Sequence, residues 1–140
     1  MRLGIPVILL WIWQFPQHLV ALILWLITKP VFLEHYNGHK VYRVKQKFLG
    51  VSLGRYIFLS THYQLPTIKH EYGHSIQSLW LGPFYLLIIG IPSLVFCYLR
   101  DRLFHKKWDM SKRIQWYYKQ PTEKSADKLG GVDREMHPFE

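Results

Sequence analysis

His70-Glu71-Tyr72-Gly73-His74 sets two imidazoles four residues apart, with a glutamate beside the first. On a helix, positions i and i+4 share a face, so both rings can grip one metal ion. The flanks favour a helix. Between Thr67 and Trp80, apolar residues recur at Ile68, Tyr72, Ile76, Leu79 and Trp80, close to helical spacing. Pro66 suits a first turn, and Gly82-Pro83 is a stop. Zinc fits two imidazoles and one carboxylate, with a fourth position left open. Glu71 then projects near the metal and can take a proton from the attacking water. With no third ligand, the same pattern is a helix whose two histidines face solvent.

Glu123-Lys124-Ser125-Ala126-Asp127 supplies the missing group. Its two carboxylates also lie on one helical face. Glu123 is the expected third ligand. Asp127, one turn on, is expected to accept the free N–H of a ligand histidine and fix its tautomer. Pro121-Thr122 reads as the start of this helix and Gly130-Gly131 as its end. Taken alone, the segment would be a short solvated helix of mixed charge.

H-E-x-x-H followed by E-x-x-x-D resembles the gluzincin metallopeptidases, which include thermolysin and membrane-embedded prenyl-protein and heat-shock proteases. The stretches His70–Ser78, Leu81–Leu86, Gly90–Ser93 and Thr122–Gly131 also resemble small bacterial metalloprotease domains. The resemblance covers roughly residues 50–131. It implies that Glu71 is the general base and that Glu123 is the third zinc ligand. It also implies that a strand beside the zinc helix holds a peptide or protein substrate by strand addition. Gly54 to Ser60 is the segment expected there, with Gly54, Tyr56 and Phe58 as substrate contacts. The alternative for that segment is a plain structural strand. The interval from His74 to Glu123 is longer than in thermolysin-like sequences and is filled with apolar residues.

At 140 residues the chain has room for one core. Aromatics make up 16% of it, with six tryptophans, and the net charge is +9. This pairing fits a membrane interface with anionic headgroups. It would also fit nucleic acid, but no RRM, KH or zinc-knuckle pattern is present, and no nucleic-acid partner is expected. The single cysteine, Cys97, excludes an intramolecular disulfide.

Residues Gly4 to Thr28 carry no formal charge. As one helix they would reach about 37 Å, enough for a hydrocarbon core of about 30 Å. Residues 1–30 are therefore expected to be a membrane anchor. Gln14, Pro16, Gln17 and His18 predict a kink, and a broken helix lying in the interface is the fallback. His18 is expected to be neutral and satisfied by Gln14 or by backbone. All but one of the 18 Lys and Arg follow this segment, which places the bulk of the chain on the cytoplasmic side.

Asn37-Gly38 between β-prone runs predicts a hairpin over Val31–Lys45, with a further strand ending at Ser60. His35, His39 and His62 are expected at the surface. Pro83–Leu99 is apolar, short for a span, and interrupted at Gly90-Ile91-Pro92. It reads as a re-entrant or interfacial hairpin turned there, with a buried helix pair as the alternative. Residues 100–120 mix basic and aromatic side chains, as a headgroup-facing segment would. Tyr117, Tyr118 and His137 are candidate oxyanion donors, and spacing does not choose among them.

The expected fold is thus α+β: an N-terminal membrane helix, a small antiparallel β-meander, the H-E-x-x-H helix, an apolar helical hairpin and the E-x-x-x-D helix. Residues 31–140 form the minimal metallopeptidase-like domain. The expected function is zinc-dependent peptide hydrolysis at a membrane. The alternative is a membrane-surface interaction protein whose zinc site is structural or inactive. A catalytic site leaves a metal position open with Glu71 facing it, whereas a structural site is closed by a fourth protein ligand.

Overall fold

Tyr56-Ile57-Phe58-Leu59 alternates between two apolar layers, and the fold is built around it. The computed structural model describes residues 6–45, 50–60 and 65–133. Its four strands are β1 (Val31–Tyr36), β2 (His39–Arg43), β3 (Val51–Leu53) and β4 (Tyr56–Leu59). Its helices are α1 (Val7–Trp13), α2 (Phe15–Thr28), α3 (Leu65–Leu81), α4 (Arg100–Phe104), α5 (Met110–Tyr118) and α6 (Pro121–Gly130). Successive strand side chains point to opposite faces. Phe58 therefore packs with Ala21 and Leu24 of α2, and with Val44 and Leu53. Ile57 and Leu59 pack with Val41 and with Ile68 of α3. The sheet is a middle layer between α2 and α3.

The strand order is β1-β2-β4-β3. Asn37 and Gly38 adopt φ of 46° and 80°, the left-handed pair that a two-residue hairpin requires, and β1 pairs antiparallel with β2 as expected. The antiparallel meander is not what forms beyond it. The chain passes outward to β3 first and returns through Gly54-Arg55, so β4 inserts between β3 and β2 and runs parallel to β2. The sheet is mixed because the last strand is captured between two others.

The N-terminal segment is not one straight anchor. α1 and α2 meet at Gln14 with a bend of 86°, so the expected kink is a right-angled corner. Its cause is the polar interruption. Gln17 Nε2 donates to Ser78 Oγ (3.1 Å) and to Gly82 O (2.6 Å), and Ser78 Oγ donates to Gln14 Oε1 (2.8 Å). Trp13 Nε1 donates to Leu79 O (2.8 Å). Leu79 O lies in the last turn of α3, where carbonyls run short of helical donors. His18 is buried and held by backbone at both ring nitrogens, to Trp11 O (3.1 Å) and from Arg55 N–H (3.2 Å). Among the described residues no single helix is long and apolar enough to cross a membrane.

The second apolar run also departs from expectation. The chain turns at Gly82–Phe84, a single 3₁₀ turn, and not at Gly90–Pro92. Gly82 has φ of 55°, and a Cβ there would lie 2.1 Å from the Trp13 ring, so only glycine fits. From Leu86 to Phe104 the chain stays helical through Pro92, with wide π turns at Leu86–Gly90 and Ser93–Leu99. Those wide turns on both sides absorb the ring and the missing donor of Pro92. The axis of Leu86–Phe104 lies at 118° to that of Leu65–Phe84, and Ser93 is carried back toward α6.

Candidate metal centre

The α3–α6 crossing makes the site. A Cβ on Gly73 would lie 1.8 Å from Ala126 O, and one on Gly130 would lie 1.8 Å from Lys69 O. The two backbones therefore touch, and short side chains can meet across the gap. His70, His74 and Glu123 offer donor atoms within 4.8 Å of one another, all buried. Glu123 Oε2 lies 2.9 Å from His70 Nε2 and 3.0 Å from His74 Nε2.

The far sides of both rings are taken. His70 Nδ1–H donates to Asp127 Oδ1 (2.7 Å). His74 Nδ1–H donates to Gln77 Oε1 (2.7 Å), and Gln77 Nε2 donates to Thr122 O (3.1 Å), which fixes the amide's orientation. Each neutral ring then aims an Nε2 lone pair at a carboxylate oxygen. Three buried lone pairs facing one another repel unless a cation lies among them, and that cation is either a metal or protons. The donor set therefore fits a divalent metal ion held by His70, His74 and Glu123. Two imidazoles and a carboxylate are a zinc-compatible set, though other transition metals accept the same donors. Among the described residues no fourth His, Cys, Asp or Glu joins the group.

The charges tell the same story. Burial opposes an imidazolium at His70, but hydrogen bonds to Asp127 and Glu123 outweigh it and push the ring up to about 9. His74 is raised against the same burial cost by Glu123. Burial would raise Glu123 too, yet the two histidines hold it well below the usual carboxylate range. In the metal-free protein, the raised His70 stabilises the fold fully below its ordinary value of 6.5 and loses that contribution as pH rises through about 9. Metal replaces those protons. The rise in Tm on adding zinc is therefore expected to grow between pH 6.5 and about 9. Thermal unfolding with and without zinc across that window checks it, and a pH-independent rise would show that protons and metal do not compete.

Glu71 stands apart from the ligands. It is buried, its Oε2 has no hydrogen-bond partner, and burial raises its carboxyl against the opposing pull of His74 and His70. With His74 it lines a cavity of about 370 Å³, walled by α2, β3 and the Leu86–Phe104 helix. Tyr117 lines this cavity as well, and burial keeps its phenol protonated well above 10. Tyr118 instead packs edge-on against the His70 ring, 5.0 Å between centroids. His62 and His137 lie outside the described residues.

The strand expected to hold substrate is elsewhere. β4 is hydrogen-bonded to β2 on one side and β3 on the other, so it has no edge to add to. Phe58 is core, and Tyr56 and Phe58 line a second cavity of about 310 Å³ with Trp11, His18 and Trp25. A Cβ on Gly54 would lie 2.3 Å from His18 Nε2, so this glycine makes room for a ring. The sheet edge at the metal-side cavity is β3.

Sequence reasoning found His70, His74, Glu123 and Asp127 and missed two further polar groups. Gln77 lies three residues after His74, where a helical neighbour of a ligand histidine can be anticipated. Ser93, whose Oγ donates to Glu123 Oε1, belongs to a distant apolar run and carries no such signal. No family model, curated protein sequence or solved structure matches this chain.

Proposed function

We propose that the chain is a membrane-associated, zinc-dependent metallopeptidase with Glu71 as general base. The observation that carries this reading is a three-donor group one of whose members, His74, shares a cavity with Glu71, a separate carboxylate whose Oε2 is buried without a partner. When bound there, zinc would supply Lewis acidity toward a carbonyl oxygen and water. Glu71 takes a proton from the attacking water and delivers it to the leaving amine nitrogen. Its burial suits that role, because a raised carboxyl is a stronger base. Asp127 and Gln77 hold the two rings with Nε2 toward the metal. Tyr117, protonated and on the cavity wall, is the donor for the developing oxyanion.

Membrane association rests on exposed apolar residues along α1, α2 and the Leu86–Phe104 helix. Basic side chains lie over aromatic rings next to them. Arg100 sits 5.9 Å from the Trp116 ring centre, and Lys112 sits 4.1 Å from that of Trp108. Such pairs suit anionic headgroups. The excess of basic residues beyond the N-terminal segment places them on the cytoplasmic side in this reading.

The full chain in detergent is expected to bind zinc stoichiometrically and to hydrolyse peptide bonds in a panel of unstructured and membrane-inserted polypeptides. A chelator should abolish hydrolysis, and added zinc should restore it. Stoichiometric zinc with no hydrolysis of any substrate would favour the interaction-protein alternative.

A further inference from the structure

The walls of the metal-side cavity differ in kind. Its floor is buried and polar at the chemistry: Ser52, Glu71, His74 and Tyr85 are each at most 6% exposed. Two of its lining residues are open to the outside, Val20 at 39% and Leu94 at 52%. The mouth therefore lies between α2 and the Leu86–Phe104 helix. Both lips are uncharged, since no Asp, Glu, Lys or Arg occurs from Gly4 to Thr28 or from Pro83 to Leu99. Beyond the mouth both continue as exposed apolar surface, with Ile23, Leu26 and Ile27 on one side and Leu87, Ile91 and Val95 on the other.

We propose that this cavity takes its substrate laterally from the bilayer, as an apolar membrane-inserted polypeptide segment passing between α2 and the Leu86–Phe104 helix; this rests on the peptidase reading above. A charged peptide from water would have to shed its hydration along both lips, whereas an apolar segment already in lipid gives up nothing there. The volume lies within the range of ligand pockets, about 300–1,000 Å³. A polypeptide is favoured over a lipid ester by the β3 wall of the cavity. β3 ends the sheet, and its outer edge is paired to no strand among the described residues, with only Tyr85 Oη–H donating to Ser52 O (3.4 Å). An extended backbone offers matching N–H and C=O groups to such an edge, and a lipid ester has no N–H. Ser52 Oγ, buried without a partner on the same strand, adds a further polar atom.

The test uses the full chain carrying Glu71→Gln, zinc-loaded, in vesicles of phosphatidylethanolamine and phosphatidylglycerol. The probes are a single-span Leu/Ala peptide and a water-soluble extended peptide, each with a photoreactive leucine at its centre. The single-span probe is expected to cross-link to Val20, Leu24 or Leu94. Leu94→Trp, and independently Val20→Trp, should lower that yield about tenfold, the scale of one altered apolar subsite, with zinc content unchanged. Leu103→Trp, at an exposed position outside the cavity, should not change it. Capture of the soluble probe alone, unaffected by either lip variant, would overturn lateral entry and leave the peptidase reading standing. Capture of neither probe, with no hydrolysis of either by the wild type, would overturn both.

Discussion

Replacing Glu71 by Gln is expected to lower peptide hydrolysis by about a hundred- to ten-thousandfold, the usual weight of a general base, while zinc content stays at the wild-type value. The same substitution is expected to hold or raise the Tm of the metal-free protein. The three outcomes have one physical cause. Glu71 is buried, makes no hydrogen bond through Oε2, and belongs to no metal-donor group. Burial raises its carboxyl, so ionisation at neutral pH works against folding, and a neutral amide removes that cost. A structural carboxylate would show the opposite pattern, with lower Tm and lower metal content together. Metal content by mass spectrometry, Tm by calorimetry and hydrolysis rate separate the two. Wild-type rates in the zinc-loaded variant would remove Glu71 from the mechanism, and a fall in zinc content would make it part of the metal site.

The candidate metal site was legible because its information is local. His70 and His74 are fixed by helical spacing, and so are Glu123 and Asp127, leaving only the docking of α3 on α6 to be inferred. The Asn37-Gly38 hairpin was legible for the same reason, since two left-handed residues leave few alternatives. What was not legible depends on which distant segment a residue meets. Tyr56–Leu59 reads as an edge strand or a buried one with equal ease, and only the outward passage through β3 decides. Gly90 and Pro92 look like a turn, but a helix that widens on both sides carries the chain through them. Gln14, Gln17 and His18 look like defects in an anchor. Their partners, Ser78, Gly82, Trp11 and Arg55, lie in backbone and side chains that the local sequence does not name. The N-terminal segment is thereby part of the support of the metal helix as well as an apolar surface.

Gly73→Ala, a single methyl group on the third residue after His70, is expected to destroy metal binding without touching a ligand. The new Cβ would lie 1.8 Å from Ala126 O and 2.6 Å from Ala126 C. Real Cβ atoms do not approach so closely, and the neighbour is backbone, which cannot rotate aside. α6 must therefore move off α3 by an ångström or more. Overpacking of this kind costs about 1–3 kcal/mol, and for a chain of this size even the lower end shifts Tm by several degrees. The displacement also carries Glu123 and Asp127 away from His70 and His74, because the bonds that join the four run across that crossing. A zinc site tolerates errors of about 0.2 Å in ligand distance, so the loss of affinity should exceed what the fall in stability alone would give. Gly90→Ala provides the contrast. Its Cβ would meet the flexible Leu86 side chain at 3.3 Å and come within 3.9 Å of Tyr85 O, an ordinary contact, and a helical Gly-to-Ala change gains about 0.8–1.0 kcal/mol in propensity. Zinc titration and thermal unfolding of the two variants should therefore diverge, Gly73→Ala losing both metal and stability and Gly90→Ala keeping both. A Gly73→Ala protein with wild-type zinc affinity would mean that α6 is not seated on α3 at backbone contact, and the convergence of Glu123 with the two histidines would need another explanation.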